Sequence, residues 1–184
     1  MANLYPTTTA AVDSRVLLEW TEHRDHEKLS RDARAVLDTN SIRDWLMGDI
    51  SGHCQRLGLK SLDWLASDTE APSRTSEHLD SQDRWWFVWT LYQSDIQASI
   101  EGLDRLVAYF HEYPARFGAD AAEISAAHAW DKASGELEFE MPDPSSEGDT
   151  PLYVLCTILG FRRLLNFAHA NGLNIIHMRY SFRP

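Results

Sequence analysis

The chain has 184 residues, 43% hydrophobic and 24% charged, with twenty-eight acids against seventeen lysines and arginines and a net charge of −11. That is the composition of an ordinary globular protein, which excludes bulk disorder, and a chain this long buries roughly 70% of its unfolded surface without needing disulfide or metal staples. The acidity opposes binding to nucleic acid, whose phosphates it would repel, and no uncharged run reaches the ~20 residues of a membrane helix.

Residues 1–11 read as a flexible arm ahead of a single globular domain over 12–184. The arm lacks the basic and apolar regions of a signal peptide. Val12, Val16 and Trp20 then lie four apart, as on one helix face. Val16 to Trp20 also fits a short strand, but the following Glu-His-Arg-Asp-His-Glu-Lys-Leu has no strand character, which favours helix. Asp38 to Ser41 is a break rich in capping side chains. After it Ile42, Trp45, Leu46, Ile50 and Leu57 keep helical spacing, with Gly58 as the stop. Leu62, Trp64 and Leu65 predict one more short turn, and 67–82 reads as a long polar loop.

Trp85, Trp89, Tyr92, Ile96, Leu103, Val107 and Phe110 recur at intervals of three, four or seven, predicting one long helix from Asp83 to about Tyr113, where Pro114 stops it. Asp120 is placed to cap a further helix through Ala121, Ile124 and His128, closed by Gly135. Glu136 to Met141 alternates strictly, as a half-buried strand does, with its three glutamates on the wet face. Thr150-Pro151 is a helix start, a capping hydroxyl followed by proline at the first helical position. That helix is apolar nearly all round up to Phe161 and therefore central, and Gly172 ends it. Asn174 to Phe182 alternates as a second strand. Paired with the first, it would set Arg179 opposite the glutamates. The expected fold is α+β and mainly α-helical, a helical bundle-like domain with a small two- or three-stranded sheet.

Charge is concentrated along this chain. Residues 117–150 hold nine acids and one base, Lys132, a net of −8, and 151–184 hold no acid and four arginines. Such a field suits a surface that recognises something basic. The candidate partner-binding residues are Glu136, Glu138, Glu140, Asp143, Glu147 and Asp149, with the 67–82 loop as a second candidate contact.

No catalytic motif emerges, and no cofactor or metal is expected. His23 and His26 are three apart, whereas zinc peptidases use His-Glu-x-x-His. Gly48 to Gly52 has its serine displaced from the nucleophile-elbow position. The Trp85-Trp86-Phe87-Val88-Trp89 cluster reads as core, with Trp86 about 100° round a helix from Trp85, so that both do not face one core centre equally. His111, His169 and His177 read as structural. Cys54 and Cys156, 102 positions apart with no CxxC, fit two buried thiols in a reducing cytoplasm.

Asp83 to Asp95, Asp-Arg-Trp-Trp-Phe-Val-Trp-Thr-Leu-Tyr-Gln-Ser-Asp, with the helix beyond, resembles segments of the helical immunity proteins of bacterial polymorphic-toxin and type VI secretion systems. The resemblance covers about 30 residues, rests on aromatic composition, and carries over no functional residue. It implies a cytoplasmic, non-enzymatic protein that neutralises one cognate toxin. Acidity and the absence of a motif point the same way, towards a basic target such as a nuclease. The alternatives are a small metal-dependent enzyme using His23, His26 and His128 with nearby acids, and an acidic adaptor or DNA mimic.

Overall fold

In the computed structural model, which describes residues 4–65, 76–80, 84–134 and 150–182, the fold is α+β and mainly helical. Its sheet is larger than the sequence suggests. Strands β1 (Leu4–Val12), β2 (Ala35–Arg43), β3 (Ser76–Leu79), β4 (Arg84–Leu91) and β5 (Asn174–Phe182) form one sheet in the order β2-β1-β5-β4-β3, with every neighbouring pair antiparallel.

Side chains leave a strand on alternate faces, and the two faces are covered by different helices. Ala10, Val12, Trp86, Val88, Ile176 and Met178 form one core with Val16 and Trp20 of α1 (Ser14–His23) and Leu29 of α2 (His26–Asp32). Ala11, Leu37, Trp89, Leu91 and Ile175 belong to a larger core. It includes residues of α3 (Asp44–Arg56), the 3-10 turn Lys60–Leu65, α4 (Gln93–Glu112), α5 (Ala121–Ala133) and α6 (Pro151–Ala170). The sheet is thus the middle of three layers.

Local signals explain most of the helix ends. Asp13 accepts from the Val16 N–H at 2.9 Å and starts α1; Asp25 accepts from the Lys28 N–H at 2.9 Å and starts α2. Two caps within twelve residues split what reads as one helical stretch. Gly58, Gly118 and Gly172 take positive φ where the chain turns after helical segments. Thr150 caps α6 and Pro151 occupies its first turn, and every residue from Tyr153 to Phe161 is buried.

Three expectations are corrected. Residues 4–12 are not a flexible arm but a strand inside the sheet, paired on one edge with β2 and on the other with β5. Threonine's β-branching favours this conformation, and Thr7 and Thr9 are buried. Asp38 to Ser41 is not a break; it continues β2, an edge strand, where polar residues are tolerated.

The long helix from Asp83 divides into β4 and α4, with Tyr92 between them. Both faces of β4 are covered, Trp86 and Val88 on one side, Trp89 and Leu91 on the other, so the run is apolar at nearly every position. Ser76–Leu79 of the expected polar loop is β3; positions 66–75 and 81–83 lie outside the described residues. So does the strand expected over Glu136 to Met141. Its expected partner β5 pairs with β1 on one edge and β4 on the other.

Helix α4 packs on the 3-10 turn through Gly102. A methyl there would sit 2.7 Å from Ser61 Oγ and 3.0 Å from Leu62 Cγ. Gly52, in α3, has nothing within 4 Å of the same position. Alanine gains about 1 kcal/mol over glycine in a helix interior, whereas overpacking costs about 1–3 kcal/mol. Gly102→Ala is expected to lower the unfolding free energy by about 1 kcal/mol and Gly52→Ala to raise it by about 0.5–1 kcal/mol, both read from urea titrations.

Candidate functional site

Of the nine acids in 117–150, three have structural work. Asp120 accepts from the Glu123 N–H at 2.8 Å, and Glu123 accepts from the Asp120 N–H at 3.0 Å, a reciprocal box that starts α5. Asp131 pairs with Arg163 at 2.7 Å and ties α5 to α6. The remaining six, Glu136, Glu138, Glu140, Asp143, Glu147 and Asp149, lie outside the described residues. The described arginines of the final third are engaged within the fold. Arg162 meets Asp104 at 2.6 Å, Arg163 also lies over the Trp130 ring, and buried Arg179 lies 4.7 Å over Trp89. Twenty-eight acids against seventeen lysines and arginines leave eleven carboxylates that no one-to-one pairing within the chain can neutralise.

A second candidate lies on the larger-core face of the sheet. His177 on β5 is 1% exposed, and its Nδ1 lies 2.8 Å from Thr9 Oγ1 on the neighbouring strand. Its ring touches Trp64, Trp89 and Phe161, with centroids 5.0, 5.6 and 5.6 Å away. His177 Nε2 has no hydrogen-bond partner among the described residues, nor have the buried indole N–H groups of Trp64 and Trp89. Beside them is a cleft of about 320 Å³. Its wall includes the two indoles, Lys60, Asp63, Thr90 and Asp95. The carboxylates and the ammonium on this wall suit a polar molecule.

The Ser99 hydroxyl donates to the Ser61 carbonyl at 2.8 Å. Elsewhere, burial pushes both thiols up to about 12, with Asp63 adding to the effect at Cys54 and Asp131 at Cys156. The cleft was illegible in the sequence, because Trp64 read as part of a short turn and Trp89 as core.

The histidines proposed for a metal enzyme do not converge. His23 is exposed beside Glu22, and His26 stacks on Trp86 at 3.8 Å on the α1–α2 side of the sheet. His128 sits on α5, facing His111 of α4. Among the described residues no three or more His, Cys, Asp or Glu are grouped to hold a metal. Gly48 to Gly52 lies inside α3, with no strand-to-helix turn. The tryptophan cluster splits across the sheet. Trp86 faces α1 and α2, its indole donating to Asp80 Oδ2 at 2.8 Å, and Trp89 faces the cleft. No helix among the described residues is long and apolar enough to cross a membrane.

No family model and no curated protein matches the chain. Among solved structures, YfbM from Escherichia coli, described as a protein of unknown function, is 14% identical with a TM-score of 0.48. The match covers 95% of this chain and 99% of that one.

Burial, reinforced by Arg179, holds the His177 pKa well below 6.5. The unfolded chain therefore takes up a proton near pH 6.5 that the folded chain refuses. Its contribution to stability is present above pH 6.5 and falls as the pH drops towards the folded pKa, by up to about 1.4 kcal/mol per pH unit. Urea unfolding at pH 7, 6 and 5 should show this decline. A His177→Asn variant, less stable at pH 7, should show a shallower one.

Proposed function

We propose that this chain is a non-enzymatic immunity protein that binds and neutralises a cognate bacterial toxin, acting in the cytoplasm. The contact is the acidic segment 136–149, and the toxin is basic, with a nuclease the type best matched to it. The observation that carries the reading is the distribution of carboxylates. Residues 136–149 hold six acids and no base, while the other three acids of the stretch are occupied as a cap, a capping-box partner and an ion pair.

The frame on either side suits such a role. Ser134 closes α5, whose Asp131–Arg163 pair ties it to α6, and Thr150 caps α6 itself. The described residues that flank the acidic segment in sequence thus belong to one pair of packed helices. Clustered carboxylates raise the rate of encounter with a cationic partner, and aromatic side chains at such interfaces slow its release. A DNA mimic would spread its acids at phosphate-like intervals over a long face. Here six fall within fourteen residues, which favours a compact basic target.

The test begins with affinity capture from the native lysate and asks whether co-production of this chain suppresses the toxicity of the captured protein. Glu136, Glu138, Glu140 and Glu147 are then changed together to glutamine. With its circular dichroism unchanged, the variant should bind the captured toxin at least tenfold more weakly at about 50 mM salt, a loss of about 1.4 kcal/mol. The gap should narrow at about 500 mM. Equal affinity of variant and wild type at both salt concentrations excludes the acidic segment as the contact, and a partner whose toxicity is untouched excludes immunity.

A further inference from the structure

We propose that His111 and His128 form a surface site for a borderline divalent transition cation, of the Zn(II) or Ni(II) type, at the junction of α4 and α5. The imidazoles come from positions 17 apart, and their Nε2 atoms lie 2.6 Å from each other with ring centroids 4.6 Å apart. His111 is exposed and His128 half-buried, so the convergence point is accessible from solvent.

The backbone holds the pair in place. Pro114 ends α4 and begins a short 3-10 turn, Gly118 reverses the chain at φ 68°, and the Asp120–Glu123 box starts α5. Phe110 stacks on Phe117 at 3.4 Å beneath this turn, and Ile124 and Ala127 anchor α5 in the core.

Two imidazole nitrogens this close tolerate only a narrow set of states. With one proton between them they share an N–H···N bond, and with both protonated they repel. With both deprotonated their lone pairs face each other, which is the arrangement that a cation relieves. Imidazole binds zinc at about 2.0–2.1 Å, so two nitrogens at a tetrahedral angle stand about 3.3 Å apart. The solvent-facing rings reach this separation by a small opening.

At His128 the surroundings favour neutral imidazole, the form that ligates. Burial lowers the His128 pKa, as does His111; Asp131 opposes the shift, and Lys132 and Arg162 add to it. Arg162 is countered by Asp104, and Asp131 pairs with Arg163. Among the described residues no third His, Cys, Asp or Glu completes a cluster, so water fills the remaining positions and the cation stays exchangeable. Imidazole selects zinc, nickel, copper or cobalt over magnesium or calcium.

The test uses the full chain, stripped with chelator, and titrates NiCl2 and ZnCl2 calorimetrically at about pH 7.5. One cation per chain is expected, with a rise in melting temperature that MgCl2 does not produce. His111→Asn and His128→Asn should each weaken binding at least tenfold, while exposed His169→Asn should not. Zinc should also shield His111 and His128 of the unmutated protein from diethyl pyrocarbonate, read by mass spectrometry, which needs no variant to fold. Absence of binding at about 1 mM cation, affinity unchanged in the two variants, or no shielding of these histidines overturns the proposal.

Discussion

Strand β5 is hydrogen-bonded along both edges, to β1 through Thr7–Val12 and to β4 through Arg84–Leu91. Its side chains also feed both cores, Ile176 and Met178 on one face and Ile175 on the other. The last strand of the chain therefore joins the first to the middle. Removing it would expose two rows of backbone donors and acceptors and uncover both apolar layers at once. Helix α6, which enters β5 through Asn171 and Gly172, is buried through most of its length, so helix and strand stand or fall together.

That long-range closure explains which parts of the fold were legible in the sequence. Elements whose signals are local were readable. Thr150-Pro151 and Gly172 bound α6, Asp120 starts α5, Gly58 follows α3, and simple alternation marks β5. Elements that depend on partners elsewhere were not. Strand β1 looks polar, but two of its threonines are buried, with Thr9 beside His177, 168 positions away. Strand β4 carries aromatic residues on both faces because both faces are covered, and a continuous apolar run has no period to distinguish strand from helix. Trp85, Trp89 and Tyr92 happen to share helical spacing with the true helix that follows.

The sites divide in the same way. A concentration of charge is visible in one dimension, so the acidic stretch could be named residue by residue. The cleft between the 3-10 turn, β4 and α4 could not, because its wall is assembled from three separated segments and its tryptophans are indistinguishable in sequence from core. The His111–His128 pair depends on the turn at Pro114–Gly118 that joins α4 to α5. In the sequence His111 reads as structural and His128 is grouped with His23 and His26, which the fold places elsewhere.

Charge and architecture together constrain the function. Crowding six carboxylates without a base into fourteen residues costs self-repulsion, and the chain as a whole carries eleven more acids than lysines and arginines. Solubility alone does not require the concentration, since a net charge of −11 spread evenly would serve it equally. A cationic partner converts that repulsion into attraction on contact, at a range of about 8 Å in physiological salt. The three acids nearest α5 and α6 have structural tasks, which separates the acids that hold the frame from those that follow. On the proposed division the frame supplies rigidity through its cap and its Asp131–Arg163 tie, and the six acids are the proposed recognition surface. The two properties can then be altered independently, and that independence is what separates a docking surface from a stabilising one.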